Sequence, residues 1–174
     1  MIKTIVVPSD GSDHANRALD MAGEIAARFG ARVVILHALL HHTSTGDVRT
    51  IAEQVGAADA VLKKLDDIEN AMLEAASAAY APVPIPIPTD VLRQLGDKIA
   101  EKARKTVEAK GVKDVTTQVV DGNPAENIVA AATHEKADLI VMGRRGLGKV
   151  AGLLMGSVSH KVSQVADCAC LTVK

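Results

Sequence analysis

Two glycine-bearing stretches carry residue types and spacings that could hold an anion. Gly143-Arg144-Arg145-Gly146-Leu147-Gly148-Lys149 is followed by Gly152 and then by Gly156-Ser157 at the start of a helical pattern. Glycines let backbone N–H groups approach a phosphate closely, and a helix N-terminus adds unsatisfied donors and a partial positive charge. The second stretch, Pro8-Ser9-Asp10-Gly11-Ser12, places a carboxylate and another helix start directly behind an apolar run. Two spacings compete in the first stretch. Gly143-x4-Gly148-Lys149 matches a P-loop up to its last position, where Val150 stands in place of the Ser or Thr whose hydroxyl binds magnesium. No later apolar strand ends in an acidic metal ligand, which a P-loop also needs. The alternative, Gly143-x2-Gly146-x9-Gly156-Ser157, is a phosphate cradle without that hydroxyl or that acid.

Other chemistry is thinner. His37, His41 and His42 have no Cys or carboxylate at ligand spacing beside them, so no metal site is expected. Ser9-Asp10-Gly11-Ser12 lacks the context of a nucleophile elbow, no Ser-His-Asp set can be assembled, and no catalytic residue is assigned. Cys168 and Cys170, two apart in a strand-like run, are expected on opposite faces as free thiols.

The loops need a scaffold, and short β-branched runs alternating with 3.6-residue periodicity supply one: βαβ units around a parallel sheet. Strands are predicted over 4–7, 32–37, 115–120, 138–142 and 170–173, all apolar enough to be covered on both faces. Helices lie between them. The first is capped by Ser12 and ends at Gly30, a second runs 92–109 and stops at Gly111, a third opens at Asn123-Pro124 with Glu126 in a box-like position, and a fourth begins near Gly156-Ser157. The predicted fold is α/β, a doubly wound five-stranded parallel sheet with helices on both faces. In such sheets ligands bind beyond the carboxyl ends of the strands where the strand order reverses, which singles out the loops after strands one and four.

Residues 43–89 break this rhythm as a helical insertion after strand two. Val48, Ile51, Val55, Ala58, Leu62 and Leu65 keep 3-4 spacing, and Ile68, Met72, Ala75 and Ala79 resume it after a slip, which predicts one long amphipathic helix or two shorter ones. Pro82, Pro84, Pro86 and Pro88 then predict an extended return strap. The stripe packs on its own domain or on a partner protein, and with no anion cradle the insertion is expected to lie outside the nucleotide site.

At 174 residues the chain is one domain with room for a core, and 48% hydrophobic with 24% charged residues excludes disorder. Tyr80 and Phe29 are its only aromatics, so base-stacking platforms are absent, and Lys+Arg 20 against Asp+Glu 21 leaves no positive field for nucleic acid. No stretch reads as a membrane span and no export leader is visible, so a cytoplasmic protein is expected.

The glycine spacing, together with Val7-Pro8-Ser9-Asp10-Gly11-Ser12, Leu36-His37-Ala38, Asp121-Gly122-Asn123-Pro124, the run from Asp138 to Gly143 and the final Leu171-Thr172-Val173-Lys174, resembles the universal stress protein family in its ATP-binding branch. The resemblance covers the chain outside residues 43–89. It implies a Rossmann-like, adenine nucleotide alpha hydrolase-like domain that binds ATP, with Mg2+ carried by the nucleotide, as a regulatory stress-response module with slow or no hydrolysis. By the same resemblance, Pro8, Asp10 and the backbone of Ala38 hold adenine and ribose, Met142 and Gly143 floor the ribose, and Gly146, Gly156, Ser157 and Val158 take the phosphates. Ala38 stands where relatives carry a larger aliphatic residue, implying a looser adenine pocket. Lys149 is a spacer in this pattern. A homodimer, or a higher state built from dimers through the last strand, is implied as well. An ATP-hydrolysing or phosphotransfer enzyme and a nucleotide-free scaffold are the other readings.

Overall fold

The computed structural model describes residues 1–41, 43–78, 85–148 and 155–174. Its elements run β1 (Thr4–Pro8), α1 (Asp13–Phe29), β2 (Arg32–Ala38), α2 (Thr45–Gln54), α3 (Asp59–Ala78), α4 (Thr89–Glu108), β3 (Val115–Val120), α5 (Pro124–His134), β4 (Leu139–Gly143), α6 (Ser157–Val165) and β5 (Ala169–Val173). The strands form one parallel sheet in the order β3-β2-β1-β4-β5, with Val6 of β1 opposite both Val34 and Ile140. The doubly wound five-stranded fold expected from the sequence is therefore present.

The unbroken apolar runs of β1, β2 and β4 follow from having both faces covered. Ile5, Val7, Val33, Ile35 and Val141 pack against Leu19 and Ala22 of α1 and Ala103 and Val107 of α4. Their neighbours Val6, Val34, Leu36, Ile140 and Met142 turn the other way, against Ile128 of α5 and Val162 of α6. Truncating one such fully buried Ile or Leu to Ala costs about 2–5 kcal/mol, so these two layers hold the molecule together.

Local signals set the helix ends as expected. The Ser12 hydroxyl accepts from the Ala15 N–H, and Gly30 closes α1 in the left-handed region at φ 65°. Asn123 accepts from the Ala125 and Glu126 N–H groups. Glu126 does not complete a reciprocal box; its carboxylate takes Lys161 Nζ of α6 at 3.1 Å.

Of the two expected forms the insertion takes the second, two helices, because Gly56 at φ 65° breaks the run, and the phase reset buries Val61 beside the expected Leu65 while Ala58 is exposed and Leu62 half-buried. α2, the start of α3 and α4 form their own apolar cluster, so this stripe packs on its own domain. α4 starts at Thr89, three residues earlier than expected, directly after Pro88, which stops any helix before it and leaves its first turn without a side-chain cap. Cys168 and Cys170 pack against the same α5/α6 cluster, since residues two apart share a strand face; both are free thiols, raised in pKa chiefly by desolvation. Ala79 of the expected stripe and Pro82 and Pro84 of the expected strap lie outside the described residues. The strand limits also move by a residue: Asp138 precedes β4 and its carboxylate accepts the N–H groups of Lys3 and Thr4 at 2.7 and 3.0 Å.

α4 can lie this close to the sheet because of Gly96. A Cβ there would come within 2.8 Å of His37 Cδ2 and 3.0 Å of Val119 Cγ1, two buried or half-buried side chains of the sheet that α4 covers. Gly96→Ala is expected to destabilise by about 1–3 kcal/mol in urea unfolding, although alanine is by about 1 kcal/mol the better helix former. A stabilised variant would show that α4 can move away freely.

Candidate functional site

Beyond β1 the chain crosses to α1 on one face, and beyond β4 it crosses to α6 on the other, so their exits part and leave a cleft at the carboxyl end of the sheet. The cleft holds about 390 Å³. All nine residues singled out in the sequence line it: Pro8 and Asp10 from the β1 exit, Ala38 from the end of β2, Met142 and Gly143 from β4, Gly146 from the following loop, and Gly156, Ser157 and Val158 at the start of α6. Lys149, Val150 and Gly152 lie outside the described residues.

Asp10 ties the two loops. Its Oδ1 accepts the Ser12 N–H at 3.0 Å within its own turn, and its Oδ2 accepts the Leu147 N–H at 3.1 Å across the cleft. Gly146 is required for this, because a Cβ at that position would run into the Asp10 carboxylate. Gly143 is required by packing, since its Cβ would meet the His14 carbonyl carbon at 2.8 Å and the Ala15 nitrogen at 3.0 Å in the first turn of α1. Glycine therefore brings α1 down onto β4 and the loop up to Asp10.

The end of the cleft whose geometry suits an anion is the start of α6. Gly156 at φ −72° and ψ 155° occupies the N-cap with no side chain capping the helix, so the N–H groups of Ser157 and Val158 in its first turn have no intrahelical acceptor. The Gly156 N–H donates to the Arg144 carbonyl at 2.9 Å, and the Arg144 N–H donates to Val173 O at 2.7 Å. Gly156 thus closes the loop onto β5, and its own N–H is engaged, unlike the role the resemblance implies for it. Ser159 Oγ donates to Gly143 O at 2.8 Å and fixes α6 against the end of β4.

The opposite end of the cleft is apolar, walled by Leu36, Ala38, Leu39, Leu40, Ile128 and Met142. Leu39 and Leu40 escaped the sequence reading because they lie past β2, where strand periodicity has ended; Ile128 reads simply as core. Thr43 also lines the cleft, and Ile51 of α2 packs where a Gly11 Cβ would reach it at 3.1 Å. The insertion was expected to stand apart from the site, yet its first residues reach it, because α2 fills the space over the β1–α1 turn. The Asp121-Gly122-Asn123-Pro124 turn, read in the sequence as a helix start and a mark of the resemblance but not as part of the site, borders the cleft through Gly122 and Pro124. His41 does not join His37; its Nε2 lies 2.9 Å from Asp121 Oδ1. Among the described residues no three His, Cys, Asp or Glu side chains gather as a metal site.

The architecture is that of a doubly wound α/β domain with a cleft at its switch point. Comparison with known proteins carries this further: the family model described as the universal stress protein family matches residues 1–174, and the chain belongs to that family. A universal stress protein of Thermus aquaticus, encoded in the QAH/OAS sulfhydrylase 3' region, is 35% identical over 179 residues, with all of both chains covered. Universal stress protein YxiE of Bacillus subtilis is 30% identical over 174 residues, again with all of both chains covered. Among solved structures, a universal stress protein in complex with cAMP is 28% identical with a TM-score of 0.59, covering 99% of this chain and 96% of that one.

Asp10→Ala removes both acceptors at once. It is expected to speed hydrogen exchange at the Leu147 amide by about tenfold or more, since a bond to a charged acceptor contributes about 1.5–3 kcal/mol, while the Val141 amide within β4 keeps its protection. Unaltered exchange at Leu147 would mean that other contacts hold the loop.

Proposed function

We propose that the cleft binds ATP, with Pro8, Asp10 and Ala38 on the adenine and ribose side, Met142 and Gly143 beneath the ribose, and Gly146, Ser157 and Val158 towards the phosphates, Gly156 shaping their cradle. The observation that carries this reading is the uncapped start of α6 facing a cleft whose far end is apolar. One end offers free N–H donors and a helix dipole to an anion, and the other a dry wall to a flat base. The cAMP bound by the 28%-identical relative supports an adenine nucleotide as the class of ligand. Magnesium carried on the phosphates would neutralise part of their charge.

The protein acts in this reading as a cytoplasmic stress-response module that senses or carries the nucleotide, with slow or no hydrolysis. Asp10 is the one carboxylate among the described lining residues, and two backbone N–H groups already hold it in a structural bridge. That is a poor arrangement for activating water. No described helix is long and apolar enough to cross a membrane. β5 is an edge strand with Leu171 37% exposed, which supports a homodimer paired along it, and the remainder of α3 is available to a protein partner.

Gly156→Asp tests the site. The backbone at Gly156 suits any residue and its Cβ would meet only ordinary contacts at 3.4 Å, so the variant folds, while the new carboxylate caps α6 and takes the donors meant for phosphate. ATP binding measured by calorimetry is expected to disappear with the circular dichroism spectrum unchanged; undiminished affinity would refute the assignment. For the assembly, light scattering is expected to give twice the mass of one chain or a multiple of it, and a monomer with and without ATP would refute pairing along β5.

A further inference from the structure

His37 is the buried titratable side chain that the cleft does not use directly. It stands on β2 between Leu36 and Ala38, which both line the cleft, and strand alternation turns its ring to the opposite face, against α4. The side chain is 1% exposed. Nδ1 lies 2.8 Å from the Ser9 carbonyl oxygen, which can only accept, so Nδ1 carries the proton and donates it there. Nε2 is buried with no hydrogen-bond partner, and faces Gly96 so closely that a Cβ there would stand 3.3 Å from it. Val119, the ladder partner of His37 on β3, meets the same Gly96 position. The charged groups acting on the ring are Asp10 from the β1–α1 turn and Asp97 from α4.

Ser9 is 4% exposed and is held twice by β2: its N–H donates to Leu36 O at 2.9 Å and its carbonyl accepts from His37. The next residue is Asp10, whose carboxylate reaches Leu147. A continuous set of contacts thus runs from the ring through Ser9 and Asp10 to the glycine loop on the far side of the cleft.

We propose that His37 is a positioning residue for the nucleotide cleft: its neutral ring, donating from Nδ1 to Ser9, sets the Asp10 carboxylate that ties the two loops, and protonation unseats the ring and weakens nucleotide binding. This rests on the nucleotide reading above. A second ring proton would sit on Nε2, where no acceptor exists and the surroundings are apolar. Desolvation accordingly holds the pKa below the ordinary histidine value, against the opposing pull of the Ser9 carbonyl, Asp10 and Asp97. The sign follows from that direction. Above about pH 6.5 the ring is neutral whether seated or displaced; as pH falls below it, the displaced ring takes a proton that the seated ring refuses, and the seated state loses stability down through its own lower pKa.

The test compares the whole protein with His37→Asn, whose amide N–H lies where Nδ1–H lies but does not titrate, and with His37→Leu, which has no donor. ATP affinity is measured by calorimetry at about pH 7.5 and about pH 5.5, the Asn variant recording ATP's own titration. The wild type is expected to lose about fivefold more affinity over that interval than His37→Asn, and His37→Leu to bind about tenfold more weakly at the higher pH, with Asn restoring most of the loss. Parallel pH profiles for wild type and Asn would overturn the proposal. A second measurement needs no nucleotide: in ¹⁵N NMR of the free protein the Ser9, Asp10, Gly11 and Leu147 amides are expected to shift together below about pH 6.5 in the wild type and not in His37→Asn. Amides that stay fixed would overturn it equally. Failure of the wild type to bind ATP at the higher pH refutes the nucleotide reading instead, and the amide shifts then decide the role of His37 alone.

Discussion

The position of β1 in the middle of the sheet governs this molecule. Flanked in parallel by β2 on one side and β4 on the other, it forces the chain to wind first over one face and then over the other. Both faces must then be covered, which is why β1, β2 and β4 are buried along nearly their whole length while the edge strands β3 and β5 are half-buried or exposed. Where the winding reverses, the exits of β1 and β4 part, and the backbone groups at their ends have no strand above them to pair with. A ligand cleft at that point is a by-product of the topology before any side chain is chosen.

Side chains, or their absence, decide what the cleft can hold. Gly143 lets the first turn of α1 rest on the end of β4, and Gly146 lets the loop backbone come up to Asp10. The single carboxylate then joins two elements on opposite faces of the sheet through backbone N–H groups alone. The same economy operates at α6, where a glycine N-cap leaves the helix donors open that a Ser or Asp would have satisfied. Open donors at one end and an aliphatic wall at the other form a cleft suited to an anion attached to an apolar group.

The layer behind the cleft matters as much as its lining. α4 lies low over β2 and β3 because Gly96 has no side chain, and the room it leaves is filled by the ring of His37. α2 and α3, added between β2 and α4, build a second apolar cluster on α4 and place Ile51 against the turn that carries Asp10. An insertion that looks peripheral along the chain is thereby in contact with the floor of the site.

Much of this was legible in the residues themselves. Apolar runs and caps located the five strands and four of the six helices of the described residues to within a few positions, because Ser12, Gly30 and Asn123 act on their own neighbours and need nothing distant. Glycine spacing and the Asp10 turn also carried the family resemblance that implied nine site residues, and these gather in one cleft because topology makes the ends of β1 and β4 neighbours wherever this order of elements occurs. The sequence could not show that Asp10 reaches Leu147, that Gly156 spends its N–H on Arg144, that Leu39, Leu40 and Thr43 close the apolar end, or that Gly96 and His37 share one seat. Those relations join residues that lie far apart along the chain or past the end of a regular element. Periodicity carries no information there, so the tertiary packing of loops and helices at the end of the sheet, and nothing local, decides them.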